Sequence, residues 1–109
     1  MDVSVTSKDE LAVHAAAAAR LLKLVANERR LLVLCRLSTT GEATVGELAR
    51  SVGLSQSALS QHLALMRDDG LVAYRRDGQT IHYRIADPNA ERLLATLRTI
   101  FCRAVKESG

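Results

Sequence analysis

The sequence predicts a mainly α-helical domain carrying a two-stranded β-hairpin, in the order α-α-α-α-β-β-α. Three observations predict it. Apolar residues recur at helical spacing through the first two thirds of the chain. Across residues 72–85 the period changes to two, around an Asp77-Gly78 pair. Beyond Asp87-Pro88 the helical period returns. The 109 residues amount to one domain, and 48% hydrophobic residues suffice for a modest core.

Each element has a local reason. Residues 1–8 are polar and unpatterned, so a flexible N-terminus is expected ahead of a domain over 9–109. From Asp9 to Val25 a helix is predicted, with Leu11, Ala15, Ala18, Leu22 and Val25 on one stripe. Alanine is the best helix former, so the Ala15–Ala19 run is helix rather than linker, and its small side chains let another helix approach. Asn27 can cap a second helix through Leu37, apolar nearly all round and therefore expected to be buried. Ser38–Ala43, with Gly41, reads as a loop. Thr44 and Glu47 have capping-box spacing at the start of a third helix, whose inner face is Val45, Leu48, Ala49 and Val52. Gly53 ends it, and Ser55 caps a fourth helix to about Asp69, with Leu59, Leu63 and Met66 facing inwards and Gly70 as its stop. Val72 and Tyr74, then Ile81, Tyr83 and Ile85, alternate with polar residues as strands do. Asp77-Gly78 is a hairpin-turn signal between them. Asp87 and Pro88 suit the N-cap and first position of a last helix, with Leu93, Leu94, Leu97, Ile100 and Phe101 as its stripe.

Composition narrows the function classes. A net charge of +3 suits a phosphate-rich partner, and equally a mildly basic protein with none. With one Phe, two Tyr and no Trp, a stacking platform for single-stranded nucleic acid is disfavoured. No apolar stretch reaches the roughly 20 residues a membrane span needs. The N-terminal residues lack a basic region followed by an apolar one, so a cytoplasmic location is expected. In a reducing compartment Cys35 and Cys102 should rest as thiols. No nucleophile, base and orienting residue fall into a recognisable motif, so an enzyme is not expected, nor a cofactor.

Residues 45–66 have the register of a helix-turn-helix. Ala49 is small where two helices cross, Gly53 allows the tight turn, and Leu59 plugs the second helix into the core. An ordinary helical hairpin could share this register. A basic hairpin directly afterwards makes the winged helix-turn-helix reading stronger. The second helix of such a motif puts its N-terminal residues on base edges in the major groove. Gln56, Ser57, Ser60 and Gln61 lie opposite Leu59 and Leu63, and Gln and Ser can both hydrogen-bond base edges. Such a stripe could be a solvated face, although no Lys or Glu lies between Ser55 and Leu65. Arg75, Arg76 and Gln79 at the hairpin suit phosphate or a minor groove. Arg67 and Arg84 could contact phosphate or simply solubilise the surface.

The runs LLKLVANERRLLVLCRL and TVGELARSVGLSQSALSQHLALMRDDGLVAYRRDGQTIHYRI resemble the ArsR/SmtB-type repressors over about residues 20–86. The resemblance implies a homodimer, joined through the first and last helices, that binds double-stranded operator DNA at an inverted repeat. It assigns base reading to Gln56, Ser57, Ser60 and Gln61. The metal-sensing motifs of the family are absent: no Cys lies in Val45–Leu48 and no His between Asp87 and Cys102. His14, His62 and His82 match no ligand spacing, so no metal is expected. Cys35 and Cys102, in LLVLCRL and TIFCR, resemble the thiol pair of the BigR/SqrR/HlyU-like branch. That branch answers reactive sulfur or oxidants by cross-linking the two thiols within a subunit. Arg36, Arg98, Arg103 and Lys106 are near the cysteines in sequence and would favour thiolate, while the apolar run around Cys35 would oppose it. Two readings stand beside this one: an ArsR-type repressor, constitutive or otherwise induced, with buried structural cysteines, and a winged-helix module that binds protein instead of DNA.

Overall fold

The computed structural model describes residues 8–101. The expected helices form: α1 (Lys8–Val25), α2 (Glu28–Thr40), α3 (Val45–Val52), α4 (Gln56–Asp68) and α5 (Pro88–Phe101). The strands are β1 (Ala43–Thr44), β2 (Val72–Asp77) and β3 (Thr80–Ile85).

The caps act as their sequences direct. Asn27 accepts from the Arg30 amide at 3.1 Å, and Ser55 from the Ala58 amide at 3.1 Å. Thr44 and Glu47 complete a reciprocal capping box. Asp87 accepts from the Asn89 amide at 2.9 Å, while Pro88 occupies a helical position that needs no donor. Gly53 takes φ +71°, which closes the turn between α3 and α4.

The structure departs from the sequence-based expectation in five places. Lys8, assigned to the flexible N-terminus, already belongs to α1; residues 1–7 lie outside the described residues. Three residues expected in a loop extend α2 to Thr40, where the Thr39 and Thr40 hydroxyls bond back to the Cys35 and Arg36 carbonyls. Ala43 and Thr44, also expected in or beside that loop, pair with Tyr83 and His82. The sheet is therefore three-stranded and antiparallel, ordered β1-β3-β2, where a two-stranded hairpin was expected. Asp77 pairs with Thr80, so the hairpin's loop residues are Gly78 and Gln79. Gly78 has φ +66° and Gln79 does not have positive φ, the sign pattern of a type II′ turn. Finally, Leu32 of α2, a helix expected to be buried nearly all round, is exposed; the stripe residues Leu11 and Leu22 of α1 and Ile100 and Phe101 of α5 are exposed as well.

The core joins α2 (Val33, Leu34, Leu37), α3 (Leu48, Ala49), α4 (Leu59, Leu63, Met66) and α5 (Ala90, Leu94), and is closed by Leu71 and Val72. It fixes α4 against α3 on one side and against the base of the hairpin on the other. Among the described residues no helix is long and apolar enough to cross a membrane.

Candidate nucleic-acid interface

One face of α4 is inside and the other outside. Leu59, Leu63 and Met66 are fully buried. Gln56, Ser57, Ser60 and Gln61 are all exposed, and among the described residues their side chains make no hydrogen bonds. Ser55 is different: its hydroxyl is used by the Ala58 amide. The stripe therefore keeps its donors and acceptors available on a helix whose other side is locked in the core.

Two contacts hold α4 in place from its flanks. The Arg30 Nε of α2 donates to His62 Nδ1 at 3.4 Å, and Arg30 Nη1 donates to the Leu24 carbonyl at 3.2 Å. His62 thus bridges to α2, and its Nδ1 is the acceptor nitrogen. The Arg67 guanidinium lies 5.6 Å from the Tyr74 ring centroid, and that ring is tilted at 54° to Tyr83, 5.6 Å away. Arg67 is thereby drawn onto the hairpin.

The hairpin sorts its basic residues by face. In the β2–β3 register, Val72, Tyr74 and Arg76 share a face with Ile85, Tyr83 and Ile81. Ala73, Arg75 and Asp77 share the other with Arg84, His82 and Thr80. The side chains of Arg76 and Gln79 are exposed and have no hydrogen-bond or ion-pair partner among the described residues. Arg75, expected at DNA from sequence, is already engaged: Nε lies 2.9 Å from Glu42 Oε2, and Nη2 lies 2.9 Å from Glu42 Oε1. This fork-to-carboxylate pairing holds the Glu42 carboxyl below the ordinary carboxylate range and the Arg75 guanidinium above its own usual value.

Two residues of the site were missed in the sequence. Glu42 is one, since its partner is 33 positions away and no periodicity joins them. Arg50 is the other. A Cβ built on Gly46 would lie 3.6 Å from Arg50 Nη1 and 3.7 Å from Gln56 Nε2, so the two side chains converge over the first turn of α3. The available signal for Arg50 was a basic residue in the last turn before the helix-turn-helix glycine.

The thiol pair is only half in view. Cys35 is partly buried and packs against the core from α2. Cys102 lies outside the described residues, as do Arg103 and Lys106. Just before Cys102, Arg98 of α5 donates from Nη1 to Thr39 Oγ1 at 3.1 Å, and Thr39 in turn donates to the Cys35 carbonyl at 2.9 Å. The Arg98 Nε is buried with no partner among the described residues. No group of three or more His, Cys, Asp or Glu among the described residues is arranged to hold a metal ion.

Residues 27–74, spanning α2 to the middle of β2, match the bacterial regulatory protein family arsR. The HTH-type transcriptional regulator YgaV of Escherichia coli is 45% identical over 97 residues, covering 89% of this chain and 98% of its own. The chain belongs to the ArsR family. The transcriptional activator HlyU of Vibrio cholerae is 45% identical over 95 residues, 87% of each chain. Its reduced form superposes with a TM-score of 0.81, covering 85% of this chain and 97% of that one. The transcriptional repressor BigR of Xylella fastidiosa superposes with a TM-score of 0.78 at 38% identity, covering 88% of this chain and 97% of that one. This ArsR-family chain is a transcriptional regulator with a winged helix-turn-helix fold, and not an enzyme. Regulators of the family bind operator DNA.

Proposed function

We propose that this chain is a homodimeric repressor that reads an inverted-repeat operator with α4 and releases it when Cys35 and Cys102 become cross-linked. Gln56, Ser57, Ser60 and Gln61 read base edges, and Arg76 and Gln79 meet the backbone beside them. Arg75 braces the wing from its place on Glu42. No metal or cofactor takes part. The location is cytoplasmic, where the thiols rest reduced.

The observation that carries the DNA reading is the polar stripe of α4. Four exposed hydrogen-bonding side chains, unpaired among the described residues, stand on a helix anchored by Leu59, Leu63 and Met66. The stripe carries no Lys or Glu, and Arg50 converges on Gln56 at its start, which supports DNA over protein as its partner. The repressor reading draws on BigR, named a repressor; HlyU is named an activator, and the same operator contacts serve either outcome.

The switch reading draws on chain distance. Arg98 reaches Thr39, one helical turn from Cys35, and Cys102 follows Arg98 by four residues. Four residues span at most about 14 Å. Reactive sulfur species such as persulfides or polysulfides, or oxidants, would act there. A direct disulfide needs Cα atoms within about 7 Å, and a bridge with extra sulfur reaches further.

The test of the reading face is a comparison of two duplexes: the tightest binder selected from a random pool, and unselected DNA. Gln56→Ala or Ser60→Ala should each cost about 1–3 kcal/mol on the first and little on the second. Equal losses on both would remove α4 from base reading.

A further inference from the structure

We infer that Glu42 sets the sequence-independent affinity of the wing: by holding Arg75 it withholds one cation per chain from the DNA backbone. The inference rests on the reading of the wing as a DNA contact.

The geometry is that of a built pair. Arg75 Nε lies 3.2 Å from Oε1 and 2.9 Å from Oε2 of Glu42, and Nη2 lies 2.9 Å from Oε1. Both ends are fixed by the same sheet. Glu42 immediately precedes β1, β1 pairs with β3, and β3 pairs with the strand that carries Arg75. The carboxylate is thus presented to Arg75 by the backbone, with no flexible loop between them. Around it on that face stand His82 and Arg84 as further basic groups, and Asp77 as the second acid. Arg76 emerges on the opposite face with no such partner among the described residues.

The consequence follows from how phosphates attract proteins. Each Lys or Arg that neutralises a phosphate adds affinity for every sequence alike and steepens the salt dependence. Glu42 takes the Nε–H and one Nη2–H of Arg75 and cancels its charge, so a phosphate that approaches the free Nη1 edge meets a neutral pair unless it displaces the carboxylate. Two adjacent arginines in the wing therefore do different work: Arg76 supplies sequence-independent affinity and Arg75 does not. Withholding that second cation lowers affinity for every duplex alike and makes binding less dependent on salt, while the base contacts of α4 are left to set the preference among sequences.

The experiment measures affinity of the full-length protein for a random-sequence duplex between 50 and 200 mM salt. Glu42→Gln should steepen the log–log slope by about 0.9 per chain, which is about 3.5-fold more loss per chain across that range. Arg75→Gln in the wild-type background should leave the slope unchanged, and in the Glu42→Gln background it should abolish the gain. Arg76→Gln should flatten the slope. If Glu42→Gln leaves the slope unchanged while Arg76→Gln flattens it, the inference is overturned and the wing reading stands. If Arg76→Gln has no effect, the wing reading fails and takes the inference with it. Should Glu42→Gln not fold, Arg75→Gln alone decides: a slope flattened as much as by Arg76→Gln means that DNA strips Arg75 from Glu42, and the inference is wrong.

Discussion

Glu47 shows how much a single side chain can do at a helix start. Its carboxylate accepts the Thr44 backbone amide at 2.8 Å, and its own amide is accepted by Thr44 Oγ1 at 3.1 Å. The backbone bond chiefly holds its carboxyl below the ordinary carboxylate value, with help from the Thr44 side chain and the Arg50 and His82 charges, against some desolvation. A carboxylate lowered on folding stabilises the fold fully above its ordinary range, and that contribution is lost as pH falls through the lowered value. Glu47→Ala should therefore lower the melting temperature at pH 7, and the gap to the wild type should close in acid. Thermal melts at pH 7 and pH 3 make the comparison; a constant gap would remove the ionised carboxylate from the cap. Thr44→Ala should cost about 1 kcal/mol.

At the scale of elements, α4 is the part on which both the fold and the proposed base reading depend. Leu59 is fully buried in the core, where it ties α4 to the rest of the domain. Leu59→Ala should destabilise the domain by about 2–5 kcal/mol in chemical denaturation, from lost burial and the cavity left behind. A cost under 1 kcal/mol would mean that α4 is not anchored there. This anchor was legible in the sequence, as were the caps at Asn27, Thr44, Ser55 and Asp87, because each depends on residues three or four apart or on helical period. What the sequence did not reveal is non-local. β1 is two residues long, and only pairing with Tyr83 and His82 makes it a strand. The Glu42–Arg75 pair and the Arg30–His62 bond join residues 33 and 32 positions apart, with no repeating pattern to mark them. The final turn of α2 was hidden for a different reason: Ser38, Thr39 and Thr40 favour loops by type, yet two of their hydroxyls bond back into the helix.

For the whole molecule, the surface of α1 and the end of α5 matter most. Of α1 only Val25 is buried; Leu11, Val13 and Leu22 are 57%, 65% and 53% exposed. Ile100 and Phe101 of α5 are 62% and 71% exposed. So much large apolar surface on two helices fits a second copy of the chain related by a two-fold axis. Leu22→Asp should leave the fold intact, shift sedimentation to the monomer at micromolar protein, and abolish tight binding to the selected duplex. A variant that stays dimeric would place the interface elsewhere. In the proposed dimer, the two-fold geometry would set the spacing of the two α4 helices, with half-sites one or more turns of about 34–36 Å apart. A cross-link between α2 and the chain just beyond α5 would act on that spacing, and couplings of about 1–3 kcal/mol suffice for such control. The direct measurement is a titration of the selected operator with wild type, Cys35→Ser and Cys102→Ser, each with and without prior persulfide, alongside intact mass. The account predicts that only the wild type gains sulfur mass linking the two cysteines and releases the DNA, while both variants bind and do not respond. Normal release by either single variant would contradict it.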